Sequence, residues 1–369
     1  MLTPQRVNVC LASVHLNNQS VQRQTLKGDL IWNNTRFFVN DEKEDCSWLC
    51  VFDQPHNDYM TRIPRHRLII IVTEPKTILH HYYYCLPYFQ QFGVVISPYR
   101  RPLLYRGIWH RLPPYMIWFY GYKRGLIVSD HERAQLYPRD WHDIKKEKKK
   151  TKCISVVSSD KAHSPILYQR ILFINALKKE LGTQLDVYNA KSNFVADKAD
   201  AIDPYRYHIA LENNQDKNFW TEKITDSYLG EAYPLYFGHH DIHRYFPRPS
   251  YTPINIFNIP SAIQKVKEVI ASNQYEKNRH HILEAKRRVM EEHQFFPVID
   301  RIIRSHVNTP GPTHGQEPYR PLPAPVPIRR GHQFRLFPIE KHYRRYVCQN
   351  YFWHKRQKWH RKRANAPLL

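Results

Sequence analysis

The stretch HIALENNQDKNFWTEKITDSYLGEAYPLYFG, residues 208–238, contains a strand, a polar loop, a helix start and a second strand. The apolar run Ile209–Leu211 predicts a buried strand. Thr221 opens a helix that is expected to run to about Leu229, and Tyr233–Phe237 predicts the next strand. A strand, a helix and a strand in this order are typical of a βαβ unit, so the stretch predicts an α/β protein with a parallel sheet.

Polar residues at two points of this unit indicate an anion site. Glu212 and Asn213 directly follow the first strand, and ligands of open α/β sheets bind beyond the carboxyl ends of strands. Lys223 lies in the first turn of the helix, where a cation is unfavourable for the helix dipole unless an anion lies there. Purely structural roles stay open, because Glu222 in the first turn complements the dipole and Glu212 can cap the loop.

The rest of the second half continues the alternation of strands and helices. Ser164 and Pro165 predict the N-cap and the first position of an amphipathic helix. Ser261 and Gln264 are spaced as a capping box, which predicts the start of a later helix. The other predicted strands are Ile154–Ser158 and Leu185–Tyr188, and the predicted buried face of the first helix is Leu167, Ile171, Ile174 and Leu181.

The first half has short apolar runs that predict strands separated by polar turns. These runs are Val7–Ala12, Trp48–Phe52, Leu68–Val72 and Val94–Ser97. A lysine-rich segment, residues 145–150, is predicted to be a solvated linker between the two halves. A Pro-rich connector over residues 310–328 leads to a basic-aromatic tail, so we divide the chain into 1–150, 151–308 and 309–369.

The net charge of +23 indicates an anionic partner, such as a nucleotide sugar, a nucleic acid or an anionic lipid surface. Residues 329–369 hold twelve Lys or Arg residues against one acid, Glu340, interleaved with Tyr, Phe and Trp. This tail is predicted to attach to the inner face of a membrane, with a nonspecific polyanion-binding arm as the alternative. The chain shows neither a secretory signal pattern nor the ~20 apolar residues of a membrane helix, so we expect a cytoplasmic or peripheral protein.

Metal-binding patterns are missing from the sequence. No pair of cysteines has zinc-finger spacing, and the paired histidines are adjacent rather than four apart on a helix. Asp197–Asp200 and Asp241–His243 lack the Asp-x-Asp spacing that holds Mn²⁺ in many nucleotide-sugar enzymes. We therefore expect no metal site.

The run ALENNQDKNFWTEKITDSY, residues 210–228, resembles the signature of the α-1,3/1,4-fucosyltransferases, family 10 of the glycosyltransferases. The family pattern is an apolar residue, Glu-Asn, a polar loop, an aromatic residue and Thr-Glu-Lys, here Leu211, Glu212–Asn213, the loop, Phe219 and Thr221–Lys223. Phe219 stands where the family usually has Tyr, so that hydroxyl is missing. The likeness includes PLYFG at 234–238, spans residues 153 to about 303, and is weaker at Ile71–Pro75 in the first half.

This resemblance implies a GT-B fold, in which two Rossmann-like domains face a cleft. The N-terminal domain would hold the glycan acceptor and the C-terminal domain would hold GDP-fucose. The implied reaction is an inverting transfer of L-fucose to a glycan hydroxyl, with an α-1,3 linkage to GlcNAc or Glc of a surface glycan such as lipopolysaccharide as our expectation.

The resemblance also implies a role for each matching residue. Arg170 and Lys223 would contact the diphosphate, and Glu222 would contact the ribose hydroxyls. Asn213, with Glu212 beside it, would lie close to the diphosphate and fucose, and Phe219 belongs to the same donor-binding set. Glu74 would be the catalytic base, and two fixed cations would make a divalent metal unnecessary.

Alternatives to this reading stay open at the level of sequence. A basic nucleic-acid-binding protein would explain the charge, but the basic residues concentrate outside the α/β body and no zinc finger, RRM or helix-turn-helix signature occurs, so no specific nucleic acid is expected. A glycosyltransferase that uses another nucleotide sugar is the second alternative. From the residues alone, Arg170 could also pair with a surface acid such as Glu180.

Overall fold

The structure is a computed structural model of the chain. It describes residues 6–13, 16, 18–41, 45–53, 59–61, 63–74, 86–115, 117–122, 138–162, 164–189, 193–307 and 326–328.

A mostly parallel sheet forms the N-terminal body. The elements of this half are β1 (Val7–Ala12), α1 (Asn18–Gln22), β2 (Ile31–Trp32), β3 (Thr35–Val39), β4 (Trp48–Phe52), β5 (Tyr59–Thr61), β6 (Leu68–Ile71), α2 (Leu86–Gln90), β7 (Val94–Ser97), β8 (Ile108–Arg111) and α3 (Trp141–Lys145). The sheet has the order β2-β3-β1-β4-β6-β7-β8 and is parallel except between β2 and β3. All residues of β4, β6 and β7 are buried, as is usual for parallel strands that are covered on both faces.

A second parallel sheet forms the C-terminal body. Its elements are β9 (Lys152–Val157), α4 (Pro165–Leu181), β10 (Leu185–Tyr188), β11 (Tyr205–Leu211), α5 (Glu222–Leu229), β12 (Tyr233–Phe237), β13 (Thr252–Pro253), α6 (Ile259–Ala271), α7 (Gln274–Lys277), α8 (Arg279–Glu291), α9 (Phe295–Val307) and β14 (Val326–Ile328). The sheet has the order β10-β9-β11-β12-β13 and is parallel throughout. The predicted strands of both halves are confirmed: β1, β4, β7, β10 and β12 have the predicted bounds, and the ends of β6, β9 and β11 differ from the predictions by at most four residues. Two parallel sheets with crossover helices are the predicted α/β fold of GT-B type.

Helix α4 follows its predicted start, but its buried face differs from the predicted one at two of four positions. Ser164 accepts a hydrogen bond from the Leu167 backbone N–H at 3.3 Å, and Pro165 occupies the first turn, as expected. The buried residues are Leu167, Arg170, Phe173, Ile174 and Leu177, whereas Ile171 and Leu181 are only half-buried. The predicted buried face is therefore confirmed at Leu167 and Ile174 and wrong at Ile171 and Leu181, and the inward stripe also includes the Arg170 side chain.

The start of α6 differs from the predicted capping box. The helix begins at Ile259, and the side chain of Asn258 accepts a hydrogen bond from the Ser261 backbone N–H at 3.3 Å. Ser261 therefore lies inside the first turn and is not the N-cap. Pro260 explains the earlier start, because a residue without an N–H fits the first turn of a helix without loss of a hydrogen bond.

The lysine-rich segment is only partly a solvated linker. Lys145 and Lys146 are exposed, as predicted. Lys150, by contrast, donates hydrogen bonds to the backbone carbonyls of Asp203 at 2.9 Å and of Gly230, and burial lowers its pKa to about 7. The prediction of a freely solvated segment is wrong at this residue, which joins the segment to the C-terminal body.

The last helix of the second half packs against the N-terminal sheet. Phe296 of α9 contacts Phe37 of β3, with ring centroids 4.7 Å apart. Asp300 accepts hydrogen bonds from the side chains of Thr35 at 2.5 Å and Asn33 at 2.8 Å. Helix α9 therefore ties the two bodies together, and the residue ranges given to the domains stay a prediction.

Strand β14, at the end of the Pro-rich connector, pairs antiparallel with β5, so the chain returns to the N-terminal body there. The predicted tail, residues 329–369, lies outside the described residues. Among the helices that the structure describes, none combines the length and the apolar character needed to cross a bilayer.

We expect Phe296→Ala to lower the free energy of unfolding by about 3–5 kcal/mol, because it removes a fully buried ring from the joint between α9 and β3. Urea unfolding followed by circular dichroism measures this change. Leu283→Ala, on the more exposed side of α8, is the matched control and should change stability by no more than about 0.5 kcal/mol. A similar small effect for Phe296→Ala would show that the joint does not hold the bodies together.

Candidate functional site

A cavity of about 610 Å³ lies between the two bodies, where the strands of both sheets end. The N-terminal body contributes Ser13 after β1 and Glu74 after β6, and the C-terminal body contributes Ser158 after β9 and Asn213 after β11. The chain passes from β9 to β10 on one side of β9 and then crosses to β11 on the other side. The gap between β9 and β11 is therefore the switch point of this sheet. Open α/β sheets bind ligands at such points.

Glu212 lies beneath the cavity floor and has no solvent exposure. Its two carboxylate oxygens accept hydrogen bonds from the Thr221 backbone N–H at 2.8 Å and from the Thr221 hydroxyl at 2.7 Å. Lys223 Nζ lies 3.5 Å from the same carboxylate. Burial raises the pKa of Glu212, while Lys223 and Thr221 oppose that shift. Glu212 therefore fixes the start of helix α5 rather than contacting a ligand.

The glycine that follows β12 makes room for this carboxylate. A Cβ atom on Gly238 would lie 2.3 Å from the Tyr236 hydroxyl and 2.6 Å from Glu212 Cγ. Both distances are too short for real atoms, so the Gly of the PLYFG run is required by packing.

The first turn of α5 carries opposite charges at the cavity wall. Lys223 Nζ donates to Glu222 Oε1 at 3.1 Å, and Lys198 Nζ lies 3.6 Å from the same oxygen. Burial alone would raise the pKa of Glu222, but Lys223 and Lys198 hold it well below its ordinary value. Burial likewise opposes the charge of Lys223, but Glu222 and Glu212 raise its pKa. Both side chains are therefore ionised at neutral pH.

Arg170 reaches the same wall from α4. Its guanidinium donates from Nη1 to the Asn213 side-chain carbonyl, and its Nε is buried without a hydrogen-bond partner among the described residues. Burial lowers the pKa of Arg170, and the charges of Glu212 and Glu222 offset part of that shift. The alternative pairing with Glu180 is wrong, since Glu180 instead pairs with Lys267 at 2.7 Å.

Phe219 faces the cavity from the loop before α5 and is almost completely buried. Its ring stacks on that of Tyr99, which follows β7, with centroids 6.5 Å apart. The aromatic position of the signature thus packs the C-terminal loop against the N-terminal body.

Glu74 lies across the cavity from these cations, at the end of β6. Its position depends on Asp53, whose carboxylate accepts hydrogen bonds from the Thr73 backbone N–H at 2.8 Å and from the Thr73 hydroxyl. The backbone of Asp53 adopts a left-handed conformation with φ of 56°, and its carbonyl accepts a bond from the Tyr88 hydroxyl at 2.6 Å. Asp53 is therefore a positioning residue for the strand end that presents Glu74.

Six of the seven predicted site residues line the cavity, and the seventh, Glu212, is buried beneath them. Sequence reasoning missed Lys198, which also donates to Asp226 at 3.1 Å and lies 5.2 Å above the Phe119 ring. It missed Asp53 and the exposed ring of Phe194 at the cavity rim as well. Polar residues directly after the predicted strand Trp48–Phe52 were the available signal for Asp53; no sequence signal marks Lys198.

Within the described part of the chain, no group of three or more His, Cys, Asp or Glu side chains could hold a metal ion. The cations at the cavity are Arg170, Lys198 and Lys223, joined by Lys161 at the rim.

Residues 146–299 match the family model described as glycosyltransferase family 10 (fucosyltransferase), C-terminal part. These residues are a family 10 domain. The match extends from before β9 to the first residues of α9 and includes every donor-binding residue predicted from the signature. The prediction of family 10 is therefore confirmed for residues 146–299, and with it the prediction of a glycosyltransferase domain.

Several solved glycosyltransferases resemble the chain in structure. A crystal structure of an alpha1,3-fucosyltransferase with GDP-fucose is 17% identical, with 80% of this chain and 93% of that chain covered and a TM-score of 0.43. An alpha-glucosyltransferase in complex with UDP and DNA is 10% identical, with 81% and 98% covered and a TM-score of 0.44. No curated protein sequence matches the chain. These TM-scores are low, and the family 10 match is the finding that bears on function.

Asp53→Asn should change how stability depends on pH. Burial raises the pKa of Asp53 to about 7, helped by Glu74 and opposed by the bonds from Thr73. A carboxyl group with a raised pKa binds more protons folded than unfolded, so it makes the protein less stable as pH rises from about 4 to 7. In that window we expect the free energy of unfolding of the variant to rise relative to that of the wild type by up to about 1.4 kcal/mol per pH unit.

Urea unfolding at several pH values measures this gain, with Asp29→Asn at an exposed position as the control. A constant difference between Asp53→Asn and the wild type from pH 4 to 7 would contradict the raised pKa.

Proposed function

We propose that the protein transfers L-fucose from GDP-fucose to a hydroxyl group of a glycan, with inversion at the anomeric carbon. The observation that carries this proposal is the arrangement of two cations, Arg170 and Lys223, on one wall of the cavity and a carboxylate, Glu74, on the other. An anionic leaving group and an attacking hydroxyl need these opposite charges on opposite sides of the sugar.

The donor lies on the C-terminal wall. Arg170 is held by Asn213, and its guanidinium lies in the cavity wall, where it can donate to a diphosphate oxygen. Lys223 projects from the first turn of α5, where its charge and the free backbone N–H groups both favour an anion. Glu222 accepts bonds from the ribose hydroxyls with a carboxylate that stays ionised, and the exposed ring of Phe194 offers a flat surface for the base.

Glu74 acts as the general base of the reaction. Its carboxylate takes the proton of the acceptor hydroxyl while the oxygen attacks the anomeric carbon of fucose. The bond from that carbon to the GDP oxygen breaks on the opposite face, and attack and departure on opposite faces invert the centre. GDP is already a good leaving group, so no protonated acid is needed on the donor side.

The charge that develops on the diphosphate is balanced by protein side chains, and we propose that no divalent metal is required. Arg170 and Lys223 are fixed before the reaction by Asn213 and by Glu212 with Glu222. Donors that are fixed where charge develops are worth ~3–4 kcal/mol each in a transition state. The acceptor, which we propose to be GlcNAc or Glc of a surface glycan with an α-1,3 linkage, enters from the side of the N-terminal body.

Glu74→Ala should abolish fucose transfer and leave GDP binding nearly unchanged, because the base acts on the acceptor and not on the donor. Purified protein with radiolabelled GDP-fucose and a panel of oligosaccharides, assayed with and without EDTA, measures transfer, and calorimetry measures GDP binding. Glu268→Ala, an exposed acid on α6, is the control. Residual transfer above about a tenth of wild type would place the base elsewhere, and preference for another nucleotide sugar would overturn the donor.

Arg170→Ala and Lys223→Ala should each lower kcat/KM for GDP-fucose by about 10²–10³, the scale for loss of one charge-stabilising donor. Lys223→Arg should restore only part of the activity, since a planar fork does not replace a compact ammonium group. Steady-state kinetics in GDP-fucose measure these effects. Lys265→Ala, an exposed lysine on α6, should match the wild type, and equal losses in all variants would contradict a specific role.

We further propose that the tail, residues 329–369, holds the enzyme at the inner face of a membrane. Its twelve basic residues and interleaved aromatic residues favour anionic headgroups, at ~1 kcal/mol for each basic residue near the surface. A chain that ends at Ile328 should keep its activity on a soluble acceptor but lose most of its salt-sensitive binding to anionic vesicles in a sedimentation assay. Unchanged binding of the shortened chain would rule the tail out as an anchor.

A further inference from the structure

A tight turn between β7 and β8 exposes two leucines on the N-terminal body. The Tyr105 backbone N–H donates to the Pro102 carbonyl at 3.1 Å, which places Leu103 and Leu104 at the two central positions of a β-turn. Leu103 is 96% exposed and Leu104 is 70% exposed. Single exposed leucines are common on protein surfaces, but two adjacent ones at the tip of a turn form an apolar point.

The turn is held in one conformation by the residues around it. Tyr105 is buried and its hydroxyl donates to the Phe92 carbonyl at 3.0 Å. Gln90, at the end of α2, donates to the Leu104 carbonyl at 2.8 Å and accepts from the Arg106 backbone N–H at 3.1 Å. The hydrogen bonds of Tyr105 and Gln90 therefore fix the backbone of the turn, and the two leucines are exposed in this fixed conformation.

Exposed arginines surround this apolar point. Arg100, Arg101 and Arg106 lie on the turn itself, Arg65 donates to the Arg106 backbone carbonyl, and Arg67 follows two residues after Arg65 before β6. Arg65 donates to the Gln90 carbonyl at 2.6 Å and Arg101 to the Tyr105 carbonyl at 2.6 Å, so both are bound to backbone oxygens. For these five arginines, the structure shows no ion pair with an acid in the described ranges.

The sequence around the turn supplies almost no compensating negative charge. Residues 59–111 hold eight Lys or Arg residues and one acid, Glu74. Glu74 lies at the carboxyl end of β6, whereas Arg65 and Arg67 precede the amino end of the same strand. Arg65 and Arg67 are therefore separated from Glu74 by about one strand length, ~13 Å for four residues.

From this combination we propose that the turn, residues 100–106, docks on an anionic phospholipid surface. Leucine side chains at the tip enter the boundary between headgroups and acyl chains, while the surrounding guanidinium groups contact lipid phosphates. A flat anionic surface fits an apolar point ringed by unpaired cations, whereas a protein partner would need a larger continuous apolar face.

The pairing of β14 with β5 strengthens this choice. It brings Ile328, the last described residue before the basic tail, against Tyr59 and so within a few residues of Arg65. The tail therefore leaves the structure on the body that carries the turn. Docking through the turn adds a contact that depends on apolar insertion, which salt does not screen, to the salt-sensitive binding of the tail.

The test uses the full chain and vesicles of phosphatidylcholine with about 30% phosphatidylglycerol, sedimented at about 0.1 and 0.5 M salt. Leu103→Ser/Leu104→Ser should lower the partition coefficient about tenfold or more at both salt concentrations. Arg100→Gln/Arg101→Gln should lower it about fivefold per charge at low salt only. Leu104→Trp should raise it severalfold, because tryptophan favours the membrane interface.

The control is Leu26→Ser/Lys27→Gln, another exposed leucine beside an exposed cation on the N-terminal body, which should bind like the wild type. Unfolding curves show whether each variant is folded, and the gain expected for Leu104→Trp cannot come from misfolding. Wild-type binding by both Leu104→Trp and Leu103→Ser/Leu104→Ser overturns the proposal. So does a concentration-dependent dimer of the wild type that is lost in the serine variant, since the turn would then bind a second copy.

Discussion

A carboxylate without access to solvent, Glu212, is the constraint on which the site depends. A buried charge of this kind must be paired and hydrogen-bonded, because leaving it unpaired costs several kcal/mol. Thr221 and Lys223 meet that requirement, and in doing so they fix where helix α5 begins relative to the end of β11. Gly238 leaves the space that the carboxylate occupies. The conformation of the loop, the start of helix α5 and the glycine after β12 therefore all depend on the Glu212 side chain.

The cavity exists because the two bodies are joined at several points. Helix α9 returns to the N-terminal sheet through Phe296 and Asp300. Gln24 of the first half donates to the Gln294 side chain of the second half at 3.0 Å, and Gln294 donates to the Gln24 backbone carbonyl at 2.8 Å. With these joints in place, the carboxyl ends of two sheets face one another across a space of nucleotide-sugar size.

Charge is distributed unevenly across that space, and the distribution follows from burial. On the C-terminal wall, Lys198 and Lys223 share the Glu222 carboxylate, and their charges lower its pKa although burial alone would raise it. On the N-terminal wall, Asp53 is buried so deeply that its pKa rises to about 7, yet it still accepts two bonds from Thr73. One wall therefore presents fixed cations to a leaving diphosphate, and the other presents a carboxylate that a neighbouring acid holds in position.

The sequence by itself determined the order of strands and helices, the N-cap at Ser164 and the family signature around Glu212, because apolar periodicity and caps are local patterns. Only the tertiary structure decided which residues meet across long separations. Asp53 bonds a residue 20 positions away, and Lys198 bonds Asp226 28 positions away, so neither partnership leaves a local signal. The burial of Arg170 likewise depends on tertiary packing, whereas the earlier start of α6 depends on Asn258 and Pro260, which are local features.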